Sequence, residues 1–126
     1  MDNAAEIAID DLSDAIAFVL AHEKEWNIDM ERIMFSGSSA GALSTLNVIY
    51  DICNDGPVSK KFPAGFMPAG YIGYAGGIMT KENELVWKKA PCPMMFFHGT
   101  ADTTVAIERS KNMFGGGTFG PLYIVK

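Results

Sequence analysis

The sequence predicts an α/β fold of about three parallel strands flanked by helices, and three observations carry that prediction. Segments of helical periodicity alternate with short apolar runs, in the order helix, strand, helix, loop, strand, helix, strand. The run Met94-Met95-Phe96-Phe97 is apolar at every position, which suits a parallel strand covered by helices on both faces. The first apolar run passes through two closely spaced glycines directly into a helical pattern. At 126 residues the chain has the size of one ordinary domain, and it contains no internal repeat and no linker.

The elements follow in order. Residues from about Ala5 to Trp26 predict an amphipathic helix, with Ile9, Leu12, Ile16, Val19 and Leu20 at three- and four-residue steps and acids between them. Asn27-Ile28-Asp29 breaks that pattern, and "ERIMFS", residues 31–36, is an apolar run of strand length. Leu43, Leu46, Val48 and Ile49 place a second helix from Ala40 to about Ile52. Residues 54–70 hold three prolines and three glycines and read as loop. "YIGYAGG", Tyr71 to Gly77, is the second strand, and Lys81 to Lys89 reads as one or two helical turns on the surface. Met94 to Phe97, between prolines and His-Gly-Thr, is the third strand. The chain opens directly into a helix and closes on "FGPLYIVK", so both ends read as unfinished. Pro121 suits a helix N-terminus, while "PLYIVK" fits a short edge strand equally well.

Composition narrows the function. Apolar residues make up 48% and charged residues 20%, enough for a buried core. The net charge of −5, with acids and bases interspersed, argues against nucleic acid, which calls for clustered Lys and Arg. Lys60-Lys61 is a short basic cluster and reads as a solvated loop. No run approaches the roughly 18 apolar residues of a membrane span, and the first residues lack the basic start and apolar core of a signal peptide. Cys53 and Cys92 have neither a disulfide framework nor zinc-site spacing; they read as small buried or half-buried side chains, with one disulfide between them left open.

Gly37-Ser38-Ser39-Ala40-Gly41 fits G-x-S-x-G with Ser39 at its centre. A nucleophilic hydroxyl must stand clear of the sheet at the end of a strand. That requires a sharp strand-to-helix turn, and flanking glycines leave room for it. The following helix brings N–H groups that favour negative charge, and the N–H of Ala40 is the candidate oxyanion donor. The competing reading is a tight glycine turn with surface serines. "HGTADTTV", His98 to Val105, bears on the choice. It follows a strand directly, and functional groups in parallel sheets gather beyond the strands' carboxyl ends. Asp102 then joins Ser39 at that edge, although an Asp in such a loop also caps turns.

Together, "DLSDAIAFVLAHEKEWNIDMERIMFSGSSAGAL" and "PMMFFHGTADTTV" resemble the middle of an α/β-hydrolase of the esterase/lipase type, from about Ile7 to Val105. The resemblance implies a single partial α/β-hydrolase domain over residues 1–126, with Ser39 as nucleophile and Asp102 as the acid that orients the catalytic histidine. It implies a carboxylic-ester hydrolase working through an acyl-serine, with a small-molecule ester substrate and no metal or cofactor. The small residues Ser38 and Ala40 resemble esterases more than the related serine peptidases. The triad order in this fold is Ser, acid, His, whereas His22 and His98 both precede Asp102. The family makes the His98 position structural. The second oxyanion loop lies upstream of the serine in the family, and Gly115-Gly116-Gly117 lies downstream. Read to Gly120, that stretch fits G-x-G-x-x-G, but no strand precedes it and no βαβ unit can follow, so it reads as a flexible loop. These gaps predict the middle of a longer enzyme, inactive by itself, whose exposed sheet edges favour self-association. A non-catalytic α/β binding or scaffold module and a serine peptidase of the same fold stand as alternatives. The loop "KFPAGFMPAGYIGY" either lines a site or packs over the sheet. Localisation is left open.

Overall fold

The computed structural model describes residues 3–111 and 116–126. Helices α1, Asn3–Ala21, and α2, Ala40–Cys53, flank strand β1, Met34–Ser38. Strands β2, Gly70–Tyr74, β3, Ile78–Thr80, and β4, Met94–Phe97, follow. The chain continues through β5, Arg109–Lys111, and β6, Gly117–Phe119, to a short helix α3, Pro121–Ile124. β1, β2 and β4 form a three-stranded parallel sheet in that order, with Phe35 opposite Tyr71 and Tyr71 opposite Met94. The expected α/β class, with three parallel strands flanked by helices, is the observed architecture.

α1 buries Ile9, Ser13 and Leu20, with Leu12 and Ile16 partly covered, while Val19 lies outside the stripe at 37% exposure. The helix stops at Ala21, short of Trp26, and runs out through turns to Asn27, whose φ of 54° reverses the chain. Asparagine tolerates this left-handed conformation better than most side chains. α2 is the core of the molecule: Leu46, Val48 and Ile49 are fully buried, and Ser44, Thr45 and Asn47 are buried with them. Those polar side chains donate to carbonyls one turn back, Ser44 Oγ to Ala40 O at 3.0 Å, Thr45 Oγ1 to Gly41 O at 2.6 Å and Asn47 Nδ2 to Leu43 O at 2.8 Å. The helix can therefore be covered on nearly all sides without orphaning its hydroxyl donors.

The sheet is not covered on both faces. Phe35 and Tyr71 are buried, and Met94 and Phe96 partly so, in one core with α1 and α2. The alternate residues point the other way, leaving Met34 54%, Tyr74 46%, Met95 55% and Phe97 50% exposed. The all-apolar run of β4 thus has one covered face among the described residues, because α1 and α2 share a single core. β1 and β4 are the edges of this sheet.

The strand expected at 31–36 runs instead from Met34 to Ser38, because Met30–Arg32 form a tight helical turn capped by Asp29, and the strand expected to reach Gly77 ends at Tyr74. Three further segments differ from expectation. Residues 81–89 form no helix. Their N–H groups are drawn to α2 and the turn after it: Val86 N to Tyr50 Oη at 3.1 Å, Lys88 N to Asn54 Oδ1 at 3.2 Å and Lys89 N to Cys53 O at 3.1 Å. The 54–70 loop contains a short tight helix, Pro57–Lys61, held because Asp51 Oδ2 accepts Val58 N at 2.6 Å and Ser59 N at 3.2 Å. A second, antiparallel sheet, ordered β3-β6-β5, was not expected, and it draws in residues read as a flexible loop: Gly117 opens β6, while Gly115 lies outside the described residues. The closing segment is helical, with Pro121 in its first turn. Cys53 and Cys92 are free and buried, and burial pushes the Cys53 thiol up to about 11. No described helix is long and apolar enough to cross a membrane.

Candidate functional site

Ser39 sits between the end of β1 and the start of α2 with φ 51° and ψ −122°. A non-glycine residue held there costs about 1–3 kcal/mol, so the surroundings must impose it. On one side, Ser39 N donates to Tyr74 O at 2.9 Å and prolongs the β1–β2 ladder; on the other, Ser39 O accepts Leu43 N at 3.0 Å and opens the helix. Strand and helix meet so closely that a Cβ on Gly37 would lie 2.5 Å from the carbonyl carbon and oxygen of Gly41. Only glycine fits at Gly37. A Cβ on Gly41 would meet nothing within 4 Å, so the two glycines of the pattern are not equivalent: packing demands the first alone.

The first turn of α2 is tied down by a residue that the sequence did not single out. Tyr71, on β2 and 1% exposed, donates its hydroxyl to Ala42 O at 3.1 Å. Burial pushes that phenol up to about 12, so it remains a donor. A Cβ on Gly76 would lie 2.6 Å from that of Ala42, so this glycine too makes room for the helix. The signal lay in "YIGYAGG", where glycines interrupt an aromatic strand at the positions that face the helix.

The Ser39 side chain is exposed and makes no cap hydrogen bond to the helix, which leaves its hydroxyl unengaged there. The N–H groups of a helix's first turn have no intrahelical acceptor and carry its positive end. The Ala40 N–H belongs to this set and follows Ser39 directly.

Asp102 lies in the turn after β4. Its Oδ1 accepts Thr104 N at 2.8 Å and Val105 N at 2.9 Å, and its own N–H donates to Gly99 O at 3.2 Å. The backbone bonds from Val105 and then Thr104 hold its carboxyl below the usual 3.8, with a smaller pull from His98. Asp102 therefore caps its own loop. β1 and β4 are separated by β2, about 10 Å at ordinary strand spacing. Ser39 and Asp102 both follow carboxyl ends of this sheet.

Neither histidine stands between them. The His98 ring is 2% exposed, and its Nε2 donates to Val105 O at 2.7 Å while lying 3.5 Å from Asp102 Oδ2. Its Nδ1 is buried and has no partner among the described residues. This histidine fastens the Asp102 loop from inside. His22 follows α1, on the side where the chain enters the sheet rather than where it leaves it. Its Nδ1 donates to Phe18 O at 2.7 Å, and its ring lies 4.3 Å from that of Phe18 and 4.5 Å from that of Trp26.

Of the aromatic segment 61–74, Tyr74 adjoins Ser39, whose N–H its carbonyl accepts at 2.9 Å, whereas the loop residues 62–67 line a cavity without Ser39. Phe62, Pro63, Gly65, Phe66 and Met67 line a 540 Å³ cavity with Ile52 and Asp55, at the far end of α2. Phe66 also packs on Phe35 at 6.2 Å, so the loop covers the core. Among the described residues, no group of three or more His, Cys, Asp or Glu side chains gathers to hold a metal ion.

A comparison with known families adds one similarity. The family model BD-FAE, an α/β-hydrolase-like esterase family, matches residues 1–52. The match takes in β1, Ser39 and nearly all of α2, and Asp102 lies outside it. It supports the α/β-hydrolase superfamily and a hydrolase of esterase-like family. No curated protein and no solved structure matches the chain.

Proposed function

We propose that residues 1–126 carry the nucleophile and the acid of a serine hydrolase that cleaves carboxylic esters. The observation that supports this reading best is the Ser39 turn: φ 51° between strand and helix, with a hydroxyl free of the helix cap. In the reaction, Ser39 Oγ attacks the acyl carbon and the carbonyl oxygen becomes an oxyanion facing the Ala40 N–H. The C–O bond to the alcohol breaks, leaving an acyl-serine, and water then cleaves the acyl-serine to release the acid. A histidine must accept the Ser39 proton and pass it to the departing alcohol, with Asp102 holding that imidazole. His98 is committed to Val105 O and His22 lies beyond the wrong end of the sheet. On this reading the base comes from outside these residues, and they turn over esters poorly by themselves.

Fluorophosphonate labelling tests the nucleophile, with imidazole added in solution to replace the missing base. The expected result is a single adduct by intact mass that is absent from Ser39→Ala. Equal labelling of that variant removes Ser39 from the role. A second reading, a binding or scaffold module that keeps the turn only as a turn, is favoured by the lack of a histidine beside Ser39. No adduct under any condition supports it. If Ser39 does label, short-chain ester and peptide substrates separate an esterase from a serine peptidase.

A further inference from the structure

β1 is an edge of the parallel sheet, and the hydrogen bonds around it show which backbone groups that edge presents. Along a strand, the N–H and C=O of one residue point to one side and those of the next residue to the other. Ser39 N donates to Tyr74 O at 2.9 Å, so the odd-numbered positions of β1 turn toward β2. Tyr71 N and Ala75 N donate away from β1, to Pro93 O and Phe97 O, which fits the same alternation. Met34, Ser36 and Ser38 therefore turn their N–H and C=O groups away from β2, and none of these groups has a partner among the described residues.

Natural sheet edges are guarded by charge, proline or a bulge. β1, Met-Phe-Ser-Gly-Ser, has no charged residue and no proline, and its unbroken register with β2 over all its residues leaves no bulge. β4, the other edge, is entered through Pro91 and Pro93. Approach to β1 is open as well: Ala15, Ile16, Val19 and Ile33 line an apolar cavity of about 230 Å³ beside it. Ser36, at the middle of the strand, has an exposed side chain.

We propose that two copies of this chain pair through β1, antiparallel about a twofold axis at Ser36. In that register Met34 of each copy faces Ser38 of the other, and Ser36 faces Ser36. Each facing pair exchanges both of its N–H···O bonds. Moving the axis by one residue, to Phe35 or Gly37, leaves one outward residue of each copy unpaired. The edge is thus its own complement, and a twofold pair closes at two copies, whereas pairing β1 with β4 would extend without limit. The contact is one strand long, about 17 Å. It falls short of the roughly 1,200 Å² of a stable interface, so the dimer is weak, with Kd on the order of 100 µM. Ser39 N stays on Tyr74 O, and the pairing is independent of the hydrolase reading.

The test uses the whole chain. Sedimentation from about 10 µM to 1 mM should follow a monomer–dimer equilibrium. As the dimer fills, hydrogen exchange should slow several-fold at the amides of Met34, Ser36 and Ser38. It should not change at Phe35 and Gly37, whose amides already face β2. Ser36→Lys sets two like charges face to face and should weaken the dimer about threefold or more, as should Ser36→Glu. Mixing those two variants should give a dimer about tenfold tighter than either forms alone. A monomer throughout the range overturns the proposal, as does an open series of larger assemblies or exchange that slows without alternation. Undiminished self-association of the charged variants, or no tightening when they are mixed, also overturns it. If either variant fails to fold by circular dichroism, the exchange pattern of the unaltered chain decides.

Discussion

At the end of β1 the chain turns over Ser39 because no side chain fits at Gly37, whose Cβ would lie 2.5 Å from Gly41 backbone atoms. At the end of β4 it turns over Asp102 because one carboxylate gathers the Thr104 and Val105 N–H groups, with His98 bonded to the same segment. The first turn is set by steric exclusion and pays for a strained φ of 51° with the packing of α2 on β1 and β2. The second is set by polar contacts made within a few residues. A sterically set turn fails when an atom is added and ignores pH. A turn set by a carboxylate tolerates bulk nearby but depends on its charge.

The largest effect should come from adding one methyl at the first turn. Gly37→Ala forces α2 away from β1 and should destabilise the fold by about 3 kcal/mol or more, read from a urea midpoint by circular dichroism. An unchanged midpoint would show that helix and strand are not locked as described. A smaller, pH-dependent effect should follow Asp102→Asn. The Asp102 carboxyl is held below 3.8 in the folded chain, so its contribution is present above that pH and is lost as pH falls through the lower folded value. Urea midpoints between pH 5 and 2.5 should fall less steeply in the Asn variant. Parallel curves would discard the carboxylate as the turn's anchor. Asp51 has the opposite sign: its raised carboxyl favours the fold at low pH and loses that contribution as pH rises, which makes the Asp102 component the one to isolate by mutation. The smallest effect belongs to Gly41→Ala. Nothing lies within 4 Å of the added Cβ, so this change should be neutral or gain about 0.5 kcal/mol from helix propensity. A loss comparable to that of Gly37→Ala would erase the distinction between the two glycines.

Much of the fold was legible because its signals are local. The spacing of Leu43, Leu46, Val48 and Ile49 marked α2, and the run Met94 to Phe97 marked β4 to the residue. The antiparallel sheet was not legible. Its strands are three residues each, too short for alternation to register, and β3 pairs with β6 across a long stretch of chain. Residues 81–89 were misread as helical for a related reason: their N–H groups bond to α2 and the turn after it, partners far away in sequence. At the candidate site, Ser39, Ala40 and Asp102 were named from spacing, but Tyr71 was not, because its role exists only once β2 lies beneath α2.

The sequence by itself determined where α1, α2 and the parallel strands run, and which chemistry-bearing residues follow their ends. Periodicity, glycine and proline act over a few residues, and a linear reading senses that range. Tertiary structure alone decided the rest. It distinguished Gly37 from Gly41, left one face of β4 exposed, and placed residues 62–67 of the aromatic loop at the far end of α2. Each of these depends on atoms brought together from distant parts of the chain, where a clash or an uncovered face arises only after packing.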